Sequence, residues 1–453
     1  MVAGRLLSLV LAILATTPEA LSSPLSESSL HSLETRGRTH NGHETTDRPV
    51  VFPWPLTTGK SFKKIPRTTK TCFVDAKGNG QDDAPAIMAA AKECKNGGKI
   101  ALLDDLYTIA SPLDLKLNNV DIEIQGTIKF TDDIGYWEKN SFKYEFQNSS
   151  SFMQISGKNV NIFGGGTIDG NSQKWIDEHA VNNLVWRPVL ITFYDLDTAY
   201  ISHTNFRYSP NWYILVHTCK NVIFDNVSMA GGSSSANAPA NTDGWDTYRS
   251  DNIVIQHSKI DNHDDCVSFK PNSTNVLVQS LDCNGSHGIS VGSLGQYPKY
   301  FDIVENVYIF NITMTNATSA GRIKVWSGEY AKPPSWAEGG GGGHGRVNNV
   351  TWDAIRLKNI DYAIEITQCY GQTNLTRCSE VPATLKIENV LFRGMYGTAS
   401  KKYDPKVGSL VCGGPENCNN IYARDINIQP PSAKSPVFTC TNMDQALLDI
   451  PCA

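Results

Sequence analysis

The sequence predicts an all-β chain wound as a parallel solenoid, with a helix closing its N-terminal end. Segments of alternating apolar and polar β-formers recur along the chain, and many open on asparagine. NVDIEIQGTIKF at 119–130 and NVNIFGGGTIDG at 159–170 are two copies of one unit. Further copies start near Asn221, Asn252, Asn275, Asn306, Asn349, Asn389 and Asn420. A loose period of about 20 to 35 residues through the densest part fits stacked strands, one per repeat. A β-sandwich would turn about every 8 to 12 residues, and these turns come at larger multiples. The repeated asparagines also predict a ladder between coils, each side chain bonding the neighbouring backbone.

Taken in order, the chain opens with Arg5, the apolar run Leu6–Ala15 and small residues up to Ser23. That is the pattern of a secretory signal peptide over 1–23; the run is too short to span a bilayer, so no membrane association is expected. Residues 24–71 are rich in Ser, Thr, Arg, His and Pro without sustained periodicity, which predicts a mobile leader or pro-segment. A single domain is expected over 72–453. Its first element is the alanine-rich run after Asp82 and Asp83, an amphipathic helix that the two acids cap and that covers the open end of the solenoid. Thr131–Gln154 reads as a long aromatic and charged loop, and Ser172–Pro188 as an inserted excursion. Glu329–Arg346 contains a glycine run and predicts a flexible loop, with His344 at its tip.

The 453 residues carry 40% hydrophobic and 19% charged side chains, enough apolar content for a large core. A net charge of −5 with no basic stripe argues against a nucleic-acid partner. Sequons at Asn148, Asn226, Asn272, Asn284, Asn311, Asn316, Asn349 and Asn374 fit a secreted glycoprotein. Eleven cysteines in such a chain imply disulfides with one thiol left over, and the absence of any CxxC pair argues against zinc.

The chemistry concentrates between Asn241 and Lys324. Asp243 is followed 21 residues later by Asp264 and Asp265, His287 comes 22 residues after Asp265, and Arg322 and Lys324 come 35 residues beyond His287. In stacked coils about 4.8 Å apart, these groups would share one patch roughly 15 Å long. Crowded carboxylates cannot all ionise easily, so one keeps its proton near working pH. Neighbours on a flat strand face opposite ways, so Asp264 and Asp265 can share a cleft only at a strand end or bulge. Arg322 and Lys324, two apart, share a face, and two fixed cations suit a sugar bearing a carboxylate. Three isolated surface aspartates would more often be solvated structure; the ordered His, Arg and Lys reverse that.

NTD at 241–243, DDC at 264–266, SHG at 286–288 and RIK at 322–324 resemble the signatures of the polygalacturonase family of glycoside hydrolases, over a span from about Cys72 to Cys452. NTDGWDTYRS and HGISVGSLGQY look most like the wording of its fungal exo-acting members. Two positions differ from the common pattern: His263 precedes the Asp pair where a small residue is usual, and Ser286 precedes His287 where many endo-acting members have Gly. The resemblance implies a right-handed parallel β-helix and release of single galacturonate units from the non-reducing end of pectin, with inversion; an endo-polygalacturonase or xylogalacturonan hydrolase is the alternative, with a pectate lyase or a non-catalytic β-helix binding protein further off. It implies Asp264 as general acid, Asp243 and Asp265 holding and deprotonating water, His287 tuning them, and Arg322, Lys324 and Tyr370 binding the sugar. No cofactor or metal is implied; the partner is a pectic polysaccharide or oligogalacturonate, met by a monomer outside the cell. Close spacing suggests disulfides Cys72–Cys94, Cys266–Cys283, Cys369–Cys378, Cys412–Cys418 and Cys440–Cys452, and the family pattern supports them. Cys219 is then the spare thiol.

Overall fold

The computed structural model describes residues 38–51, 66–331, 339–372 and 374–453; the expected signal peptide lies outside them. Strands of successive coils pair in parallel within one sheet of 25 strands, which is a parallel β-helix. Register carries from coil to coil: Ile214 pairs with Trp245, Trp245 with Val267, Val267 with Ile289, Ile289 with Gly321 and Gly321 with Ile364. The period-2 pattern sends these residues inward, where one continuous core runs from Cys72 to Leu448. Outward positions along the same strands are left for chemistry.

The asparagine ladder is present. Asn119, Asn159, Asn221, Asn252, Asn275, Asn306, Asn349, Asn389 and Asn420 all take positive φ, from 54° to 58°, a conformation asparagine tolerates better than most residues. Their amides bond side chain to side chain rather than to backbone: Asn159 to Asn119 at 2.9 Å, Asn252 to Asn221 at 2.7 Å, Asn349 to Asn306 at 2.8 Å. Several sequons lie in similar contacts. Asn316 donates to Asn284 at 2.9 Å, and Asn374 accepts from Arg377 at the start of the short Leu375–Glu380 helix.

The helix Ala84–Cys94 covers the N-terminal end and buries Ala84, Ile87, Ala90, Ala91 and Cys94. Asp83 stands at its N-cap, but its carboxylate accepts the N–H groups of Lys77 and Thr108, while Asp82 accepts that of Ala84. The acid pair therefore staples the helix to the first coils as much as it caps it. All five expected disulfides form, and Cys219 is free and buried.

Three expectations need correction. The 38–51 part of the expected mobile leader lies docked along the coils. Thr46 donates its N–H and hydroxyl to the buried Glu123 at 2.7 and 2.9 Å, Arg48 pairs with Asp121, and Val51 packs on Ile223, Val254 and Leu277. Polar bonds to buried carboxylates hold it, so no periodicity announced it. Thr131–Gln154 is not a plain loop: it contains the helix Ile134–Asn140 and an antiparallel pairing of Phe142–Lys143 with Ser150–Ser151. Of the expected flexible loop 329–346, residues 332–338 lie outside the described residues, and the glycine run that follows them is close-packed rather than free. A Cβ on Gly340 would meet the Trp326 ring at 2.7 Å, and one on Gly343 would meet Gly295 backbone at 2.6 Å. Those glycines are there because no side chain fits.

Candidate active site

Asp243, Asp265 and His287 each stand two residues ahead of the paired Trp245, Val267 and Ile289, so coil register stacks them. The backbone ladder continues through them: Tyr213 N–H donates to Asp243 O at 2.8 Å, Gly244 N–H to Asp265 O at 2.9 Å, Ser319 N–H to His287 O at 3.1 Å. Asp264 lies in the turn before the Val267–Phe269 strand, not within it, which is how adjacent aspartates reach one cleft. One oxygen from each of Asp243, Asp264 and Asp265 lies within 4.8 Å of the others.

Each carboxylate has its own partners. Asp264 accepts the Asp265 N–H at 2.8 Å, and its Oδ1 stands 3.2 Å from His287 Nδ1. Asp265 accepts Ser290 Oγ at 2.7 Å and Lys324 Nζ at 2.6 Å. Arg322 and Lys324 do share the outward face, flanking the buried Ile323. Neither cation is idle: Arg322 Nε faces Glu365 Oε2 at 2.9 Å, and Lys324 belongs to Asp265. Tyr370 packs edge-on to Trp326, with the Lys324 ammonium 5.6 Å from its ring centre.

Burial raises Asp243 well above the usual carboxylate range, and the charges of Asp246 and Asp264 add to it. Burial also pushes Asp264 up, but the hydrogen bond and charge of His287 outweigh it and hold that carboxyl low. Asp265 is likewise pushed up by burial and brought below its ordinary value by Lys324 and its other cationic neighbours. The bond to Asp264 raises His287 in return. Of the three aspartates Asp243 is thus the one that keeps a proton to the highest pH, and within the Asp264–His287 pair the proton favours the imidazole.

Residues 101–448 match the family described as glycosyl hydrolases family 28. The chain belongs to this family. It is 50% identical to an exopolygalacturonase of Cochliobolus carbonum over 88% of this chain and 90% of that one. It is 49% identical to exopolygalacturonase X-1 of Emericella nidulans, covering 92% and 96%. Among solved structures, the endo-xylogalacturonan hydrolase of Aspergillus tubingensis superposes with a TM-score of 0.76 at 34% identity, covering 84% of this chain and 98% of that one.

Within this family 28 site, sequence reasoning missed Asp246, Lys270, Glu365 and Arg187. Lys270 is 5% exposed, 3.1 Å from Asp246 and 3.8 Å from Asp243, with its ammonium 5.1 Å from the Trp212 ring centre. Period-2 counting places Asp246 outward on the strand Trp245–Tyr248 and Lys270 outward just past the end of Val267–Phe269, so that signal was present. Arg187 comes from the inserted Ser172–Pro188 segment and donates to Pro210 O, Ala240 O and Asn241 Oδ1. No local pattern predicts it.

The long segment after Thr131 meets the short connection 295–300 beside Tyr248. Gln147 Nε2 donates to Gln296 Oε1 at 2.9 Å, and Phe146 stacks on Tyr248 with ring centres 3.9 Å apart. A cavity of about 510 Å³ borders this strap, lined among others by Phe146, Tyr248, Arg249, Asn272 and Tyr300; none of the three clustered aspartates lines it. His344 bonds Thr384 at 2.7 Å and takes no part in the cluster.

Proposed function

We propose that the chain is a secreted exopolygalacturonase, removing galacturonate from the non-reducing end of α-1,4-linked galacturonan by hydrolysis. The observation that carries this is the cluster of Asp243, Asp264 and Asp265 with His287 and Lys324, in a chain half identical over most of its length to named exopolygalacturonases. Glycosidic hydrolysis needs a carboxylic acid to protonate the leaving oxygen and a carboxylate to activate water. Asp264 is the acid. It draws its proton from His287 across the 3.2 Å contact as the sugar displaces water and burial deepens. Asp265, kept ionised by Lys324, and Asp243, once ionised, hold the attacking water. Arg322, fixed by Glu365, and Lys324 read the sugar carboxylate, and Tyr370 packs against its ring.

Inversion is usually accompanied by carboxyls about 6.5–9.5 Å apart, and this cluster is tighter. Inversion here follows from two carboxylates sharing one water, and the anomeric form of the product tests it. Exo action is carried by the likeness to named exopolygalacturonases, and the Gln147–Gln296 strap is the barrier we assign to it, the contact that would stop a chain from lying across the site. The structural likeness to an endo-xylogalacturonan hydrolase carries the second reading, a cut within xylose-bearing galacturonan. Rates on xylogalacturonan and on unsubstituted polygalacturonate separate the two. A signal peptide over 1–23, glycans on the exposed sequons, with Asn148 and Asn226 foremost, and a monomeric state complete the proposal.

A further inference from the structure

Lys270 and Asp246 form a buried ion pair that no step above uses. Asp246 is fully buried, and Lys270 is its one partner at ion-pair distance among the described residues. The same ammonium reaches toward Asp243 at 3.8 Å. One cation thus stands between two carboxylates, and only one of them belongs to the water-holding pair. Isolated buried charges are expensive, so a lysine this deep is fixed by both acids and cannot swing away.

We infer that Lys270 is a positioning residue that sets the ionisation of Asp243, with Asp246 as the competitor that anchors it. Asp243 is faced by Asp246 from the strand that follows it, by Lys270, Asp264 and Asp265 from the next coil, and by Arg187 from the inserted segment. Asp264 and Asp265 oppose a charge on Asp243 and already have His287 and Lys324 as their own cations. Arg187 is tied to Pro210 O, Ala240 O and Asn241 Oδ1, so Lys270, at 3.8 Å, is the cation at ion-pair distance that decides when Asp243 ionises, and Asp246 dilutes its effect. Burial pushes Asp246 itself up to about 7, which fits two acids holding one proton beside one ammonium.

The two partners predict opposite results. Activity on polygalacturonate rises with pH as Asp243 loses its proton, giving the acid limb of the kcat/KM profile. Lys270→Met removes the attraction, so the limb moves to higher pH, by about 1–3 units for loss of an adjacent opposite charge. Asp246→Asn removes the competitor and leaves Lys270 to Asp243, so the limb moves to lower pH. Lys270→Arg, which keeps the charge, stays near wild type. Since Lys270→Met strands a buried acid and can unfold the chain, the double variant Lys270→Met/Asp246→Asn restores neutrality and keeps a limb to be read. Its limb should lie above that of Asp246→Asn alone. The inference rests on Asp243 activating water in a galacturonan hydrolase. Absence of wild-type turnover overturns that reading and this inference together. Normal wild-type turnover with limbs that stay put, or move the same way in Lys270→Met and Asp246→Asn, overturns this inference alone.

Discussion

Nδ1 of His287 stands 3.2 Å from Oδ1 of Asp264, and each group moves the other's titration: the carboxyl is held low and the imidazole is raised. The pair then keeps one proton until pH passes the raised value of His287. Above it the acid for the leaving group is gone. His287→Asn leaves the proton to Asp264 alone, a carboxyl that ionises at lower pH than a raised imidazole. The basic limb of the kcat profile should therefore move toward acid, and an unchanged limb would separate His287 from the proton supply.

Asp264→Asn should remove turnover while substrate binding and fold persist, because the amide keeps the shape but has no proton to give. Loss of general acid help costs about 10²–10⁴-fold in rate. Binding of trigalacturonate by calorimetry, beside the rate, checks both halves. More than a tenth of the wild-type rate would move the acid to Asp243 or Asp265.

The proposed reading of the sugar carboxylate by Lys324 and Arg322 makes its own prediction. A hydrogen bond to a charged group contributes about 1.5–3 kcal/mol, so Lys324→Met should lower kcat/KM on polygalacturonate roughly 10–100-fold. Methyl-esterified pectin should be a poor substrate for the wild type. Equal rates on esterified and free chains would remove the uronate-binding role.

The strap predicts the mode of attack. Replacing residues 142–150 by a short turn removes Phe146 from Tyr248 and Gln147 from Gln296. Viscosity should then fall faster for each new reducing end than with the intact enzyme. The same ratio in both would place the end-selecting barrier elsewhere.

Much of this was legible in the sequence for a physical reason. A β-helix repeats one local environment, so asparagines of positive φ and alternating strands print a period that can be counted. Asp243, Asp264, Asp265 and His287 followed because matching places in successive coils become neighbours. Asp246 and Lys270 were equally countable, but a lysine two coils away from Lys324 carries no mark of its partners until both are seen buried. Residues 38–51, the helix within Thr131–Gln154 and Arg187 escaped because long-range polar contacts hold them, and such contacts leave no local pattern. The glycine run misled for the opposite reason: its flexibility was read from composition, and packing against Trp326 and Gly295 removed it.

Hydrolysis from chain ends by this carboxylate cluster is tested by time-resolved product analysis on polygalacturonate, by size and anomeric form. Monogalacturonate should appear from the first minutes, with inverted configuration and little loss of viscosity. A ladder of oligomers with a steep viscosity drop, a retained anomer, or unsaturated products of the kind a lyase leaves would contradict it.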